Sequence, residues 1–196
     1  METQPRPRLT PEEYLEIERK AEYKSEYFNG EMFGMSGGTA AHSLIAMNVG
    51  RSIGNQLRGG PCVAFNSDLR VLANATGLYA YPDLSVVCDE PKFAGGMRDV
   101  LLNPILLVEV LSPLTEAYDR GLKFQHYRSI ESLRHFLLVS SDCISVELFT
   151  RQSEGTWRLT FATELTASLT LEAINCNLLL SDVYDKIEFD AAPIHP

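Results

Sequence analysis

The chain has 196 residues, 45% of them hydrophobic and 22% charged, with 17 Lys and Arg against 26 Asp and Glu for a formal net charge of −9. That is the balance of an ordinary globular protein, long enough for one domain with a substantial core. It predicts no broad basic face, which counts against a high-affinity, non-specific polyanion binder while leaving room for a short basic groove.

In chain order, residues 1–8 and 189–196 are expected to be tails around a single domain over 9–188. The stretch "TPEEYLEIERKAEYK" predicts a helix, with Thr10 as N-cap, Pro11 at the first helical position and Glu13 completing a capping box. "SEYFNGEMFGMS" places aromatic strand formers on both sides of Asn29-Gly30, a hairpin signal. Residues 39–58 predict a second helix, because His42, Ile45, Val49, Ile53 and Leu57 recur at helical spacing. Strands are expected at "CVAFN", "DLRVLA" and "LYAYPDLSVV", followed by the connection "DEPKFAGGMRDVLLNP" and the apolar strand "ILLVEVLS". Residues 116–130 read as a helix despite Gly121. "HFLLVSS", "ISVELFT" and "WRLTFAT" read as antiparallel strands, and a last helix begins near Ser181. The expected class is α/β or α+β, a mixed β-sheet flanked by helices, mostly antiparallel with one crossover.

The four cysteines, Cys62, Cys88, Cys143 and Cys176, lie far apart without a C-x-x-C pair. They are expected to be reduced, buried thiols of a cytoplasmic protein. No leader layout opens the chain and no apolar run reaches transmembrane length, so no membrane partner is expected. The glycine pairs form neither a P-loop nor G-x-G-x-x-G, and no Gly-x-Ser-x-Gly elbow or Cys/His dyad stands out. The four histidines lack zinc-ligand spacing.

Two carboxylates sit where a core is expected. Glu109 lies inside "ILLVEVLS", a strand apolar on both faces and therefore expected to be central and covered. A Glu there needs a cation, which can be a metal ion, a Lys or an Arg. Asp83 raises the same demand after Pro82, which marks an edge or strand irregularity. Two carboxylates at neighbouring strand positions on one face make an oxygen site suited to Mg²⁺. On the following helix Asp119, Lys123 and Tyr127 fall at successive i,i+4 positions, so Lys123 can reach back to that site or simply pair with Asp119. His42 reads equally as a core histidine, and Asp68 as a local partner of Arg70 or a turn cap.

The segments "YFNGEMFGMSGGTAAHSLIAMNV", "YPDLSVVCDE", "LLVEVLSPLTEAYDRGLKFQHYRSIESLRHFLLV" and "ISVELFTR" resemble, in order and spacing, the Uma family of restriction endonucleases within the PD-(D/E)XK nuclease superfamily. The resemblance spans roughly residues 9–188. It implies a restriction-endonuclease-like core and a Mg- or Mn-dependent endonuclease acting on DNA. Asp83, Glu109 and the backbone carbonyl of Val110 would hold the metal. Superfamily members carry a lysine two residues after the acid, where this chain has Leu111, and Lys123 would take that role from the following helix. Glu31 resembles an acid supplied by an N-terminal element, and Tyr127 and His42 would contact substrate. A homodimer suits a cutter of two strands. A catalytically inactive nucleic-acid- or protein-binding module on the same fold is the alternative.

Overall fold

The structure, a computed structural model, describes residues 8–189. The expected tails therefore lie outside the described residues apart from Arg8 and Phe189. Leu9 donates to Gly30, and Phe189 packs on Tyr184 at 5.6 Å.

Helix α1 (Pro11–Glu18) begins with the expected capping box: Glu13 N–H donates to the Thr10 hydroxyl and Thr10 N–H to the Glu13 carboxylate. Strands β1 (Ser25–Phe28) and β2 (Glu31–Gly34) form the hairpin, with Phe28 opposite Glu31 and positive φ at Asn29 and Gly30, the geometry a two-residue turn demands. Helix α2 (Ala40–Gln56), capped by Thr39, buries Ile45, Val49 and Ile53.

Strands β3 (Cys62–Asn66), β4 (Arg70–Ala73), β5 (Leu78–Ala80), β6 (Leu84–Cys88) and β7 (Val100–Leu101) follow, then β8 (Leu106–Leu111). The expected single strand over "LYAYPDLSVV" is two strands in two sheets. The chain leaves β5 at Ala80, turns through Tyr81, Pro82 and Asp83, and enters β6. Pro82 lacks the N–H that a continuous ladder would need. The 116–130 helix is likewise interrupted: α3 (Glu116–Tyr118) passes into a π-helical turn at Asp119–Lys123 and then α4 (Phe124–Tyr127). Strands β9 (His135–Ser140), β10 (Val146–Arg151) and β11 (Trp157–Ala162) match the sequence reading. The pair β12 (Ser168–Leu171) and β13 (Cys176–Leu179) was not anticipated, and α5 (Leu180–Val183) ends the described fold.

The result is mixed α+β. One sheet runs β2-β1-β5-β4-β7 and a second runs β11-β10-β9-β8-β6-β3. Parallel pairing occurs at both β8–β9 and β4–β7, one more place than expected. Strand β8 is central and buried at every position. Leu106, Val108 and Val110 face a core shared with α2, whereas Leu107 and Leu111 face a core built with Tyr127, Leu133 and Phe136. Glu109 alternates onto that second face.

The cysteine expectation is corrected. Cys62 and Cys88 are opposite each other in the β3–β6 register and are joined by a disulfide. Their separation of 26 residues in the chain concealed this pairing, which exists only once the two strands align. Cys143 is free and exposed, and only Cys176 is a buried thiol.

Candidate active site

The β6–β8 register pairs Leu84 with Val108, so one step further Asp83 comes to Glu109 at the end of the ladder. The Asp83 carboxylate completes the ladder itself, accepting the Val110 N–H at 2.7 Å through Oδ2. Burial raises the Asp83 carboxyl above its ordinary pKa, against the opposing pull of His42 and the Val110 N–H. His42 Nε2 stands 3.5 Å from the same oxygen. Gly38 leaves room for the ring, because a Cβ there would lie 2.7 Å from its Nδ1.

Glu109 and Lys123 are 5% and 4% exposed. The Lys123 ammonium lies 3.0 Å from Glu109 Oε1, 2.8 Å from Glu26 Oε1 and 3.5 Å from Asp119 Oδ1. The Glu26 contact is an ion pair whose angles fall short of a hydrogen bond, so that buried oxygen has no hydrogen-bond donor. The Tyr127 hydroxyl donates to Glu109 Oε1 at 2.9 Å, and the Tyr118 hydroxyl donates to Glu26 Oε2 at 3.1 Å. Burial raises Glu109 well above the usual carboxylate range, outweighing Lys123, and it raises Asp119 as well. For Lys123 burial acts downward, but Glu109, Tyr127, Glu26 and Asp119 together overcome it and hold the ammonium charged. Three carboxylates thus crowd one fixed ammonium. The π-helical turn carries both Asp119 and Lys123 into this cluster, and such turns recur at functional sites.

These groups open onto a cavity of about 1050 Å³ between the two sheets' ends, the start of α2 and the loop after β8. Of the residues singled out in the sequence, Asp83, Glu109, Val110, Lys123 and His42 line it together. Glu31 does not: it is exposed beside the hairpin turn, and the acid the hairpin supplies is Glu26, on the neighbouring strand. Tyr127 is fully buried beneath Glu109, does not line the cavity, and spends its hydroxyl on that carboxylate. Asp68 is outside the cluster and pairs with Lys24, not Arg70. Glu26 was missed because "SEYF" reads as an ordinary aromatic strand, and only the hairpin's approach to Lys123 gives its acid a role.

Comparison with known proteins assigns the family. The Uma2 family, described as "putative restriction endonuclease", matches residues 11–181. The chain belongs to that family, a branch of the PD-(D/E)XK-like superfamily. Two uncharacterized proteins of Synechocystis sp. are similar: slr1290 is 38% identical over 185 residues, covering 94% of this chain and 96% of its own. The other, sll1609, is 34% identical over 152 residues, covering 78% and 86%. A crystal structure of a putative nuclease belonging to DUF820 from Anabaena variabilis shares the fold, with a TM-score of 0.74 at 20% identity over 92% of this chain and 99% of that one.

Among the described residues, no three Asp, Glu, His or Cys side chains group into a ready metal cage. The donors at the Asp83–Glu109 pair nonetheless suit a divalent cation that takes few protein ligands. They are hard oxygens at the cavity wall, beside three carboxylates that meet a single ammonium. Among the described residues no helix is long and apolar enough to cross a membrane.

Proposed function

We propose that this Uma2-family protein is a Mg- or Mn-dependent endonuclease that hydrolyses phosphodiester bonds of DNA in the cytoplasm. The observation that carries the reading is the convergence of Asp83, Glu109 and Lys123, from the end of one sheet's ladder, a central strand and a π-helical turn, on one cavity.

Asp83, Glu109 and the carbonyl of Val110 would hold the cation. When bound, it lowers the pKa of water and neutralises charge gathering on the phosphate. Tyr127 keeps Glu109 oriented by its hydroxyl, and the Val110 N–H does the same for Asp83. Lys123 stays protonated, so it serves as a fixed positive charge on the developing phosphorane or as a donor that orients the attacking water, and not as the base. His42, beside Asp83 at the cavity wall, is placed to contact the substrate.

Plasmid and linear DNA incubated with the protein in Mg²⁺, Mn²⁺ or EDTA test this reading. Cutting that needs the metal, and that falls by about 10²–10³-fold or more in Asp83→Asn and Glu109→Gln, is the expected result. Absent cutting leaves the inactive binding module as the better account, and cutting by both variants at the wild-type rate removes Asp83 and Glu109 from the reaction. The engagement of Lys123 by three carboxylates is the feature that favours that second reading.

A further inference from the structure

The mouth of the cavity is apolar in an unusual way. Phe33 on β2, Met35 in the loop after it, Met47 on α2 and Leu114 in the loop after β8 all line it, and they are 49%, 37%, 67% and 90% exposed. Single exposed apolar side chains are ordinary, but four converging from separate elements on one opening mark a contact surface. Leu114 in particular projects from the loop that joins the Glu109 strand to the turn carrying Lys123.

The charges at the same opening point the other way from a duplex-binding groove. Besides His42, the cations lining the cavity are Lys24 and Lys123, and among the described residues no arginine lines it. Lys24 is committed to Asp68 and to the Ser67 carbonyl, and Lys123 to Glu26, Glu109 and Asp119. Duplex recognition draws most of its affinity from Lys and Arg on successive phosphates, and this rim has no such row. A base offers an apolar face only when it is out of the stack, and such faces pack on aromatic and aliphatic side chains.

We propose that the rim of Phe33, Met35, Met47 and Leu114 seats an unpaired nucleobase next to the scissile phosphate, so that the substrate is single-stranded or locally unpaired DNA. This inference rests on the nuclease reading for the phosphate and on the rim for the base, and the two can fail separately.

The test is fluorescence anisotropy in Ca²⁺ with one labelled oligonucleotide presented as a single strand, as a full duplex and as a duplex with a central unpaired loop. Single-stranded and looped forms are expected to bind at least about tenfold more tightly than the duplex. Met47→Ser, Leu114→Ser and Phe33→Ala should each weaken the unpaired forms by about five- to tenfold. Phe161→Ser, at another exposed apolar side chain on β11 away from the cavity, should change nothing. Equal or tighter duplex binding, or rim variants that bind as the wild type does, overturns the proposal. So does a wild-type dimer that Met47→Ser and Leu114→Ser turn into a monomer with DNA binding unaltered, since a second copy would then cover the rim. Rim-dependent binding without cutting in Mg²⁺ or Mn²⁺ upholds the base seat and removes the hydrolysis. Cutting with rim-independent binding does the reverse.

Discussion

Two ionic clusters in this molecule, one half-exposed and one buried, set acids against cations and behave in opposite ways. In the first, the Arg19 and Arg70 guanidiniums converge on Asp99, with Arg19 donating at 2.8 and 3.1 Å. The hydrogen bonds from Arg19 hold the Asp99 carboxyl below the usual range. In the second, Glu26, Glu109 and Asp119 share Lys123 with Asp83 beside Glu109, and burial lifts Asp83, Glu109 and Asp119 upward. Cations in excess over acid make a clamp that fastens α1 to the β4–β7 edge. Acids in excess over cation, at the wall of a cavity, are what the proposed divalent cation would balance. A buried ion pair alone says little about function, and the sign of the imbalance says more.

Removing the cation from each cluster is the strongest way to break the comparison. Lys123→Met leaves several buried acids facing one another and should cost about 4 kcal/mol of stability in urea unfolding. It should also abolish cutting at temperatures where the variant is folded. Arg70→Met should cost about 3 kcal/mol, because Asp99 keeps Arg19 as a partner. Its cutting per folded molecule should stay at the wild-type level. Equal loss of activity in the two variants would erase the distinction drawn between clamp and site.

A buried titratable group outside both clusters sharpens it. His135 is 1% exposed, its Nδ1 against the Thr150 hydroxyl and its Nε2 accepting from Ala173 N–H, and burial lowers its pKa to about 4. The unfolded chain takes up this proton near pH 6.5, before the folded one does. The stabilisation is therefore complete above pH 6.5, declines as pH falls and is gone below about 4. After allowance for solvent screening it amounts to about 2 kcal/mol, and His135→Asn should flatten that part of the stability–pH curve.

Much of this architecture is written locally. The Thr10–Glu13 box, the Asn29-Gly30 turn and the α2 stripe each depend on residues a few positions apart, and each forms where its pattern lies. Asp83, Glu109 and Lys123 were legible because an acid inside an apolar strand demands a cation wherever the chain goes. What was not legible depends on alignment at a distance. Glu26 gains its role only when the hairpin meets the π-helical turn, and the Cys62–Cys88 bond only when β3 meets β6. The β12–β13 pair escaped because each strand has four residues, too few for alternation to stand out, and its connection turns on a left-handed Asn175. The resemblance implies a substrate contact for Tyr127, and helical spacing puts it on the Lys123 face. The spacing does not say that β8 lies against that face and buries the hydroxyl on Glu109.

The central claim is that the acid excess around Lys123 exists to receive a divalent cation. Calorimetric titration of the purified protein with Mn²⁺ tests it without reference to substrate, using Glu109→Gln and Arg70→Met as the paired variants. The account predicts binding by the wild-type protein and by Arg70→Met, and none by Glu109→Gln. A wild-type protein that takes up no cation, or a Glu109→Gln variant that binds as tightly as the wild type, would contradict it.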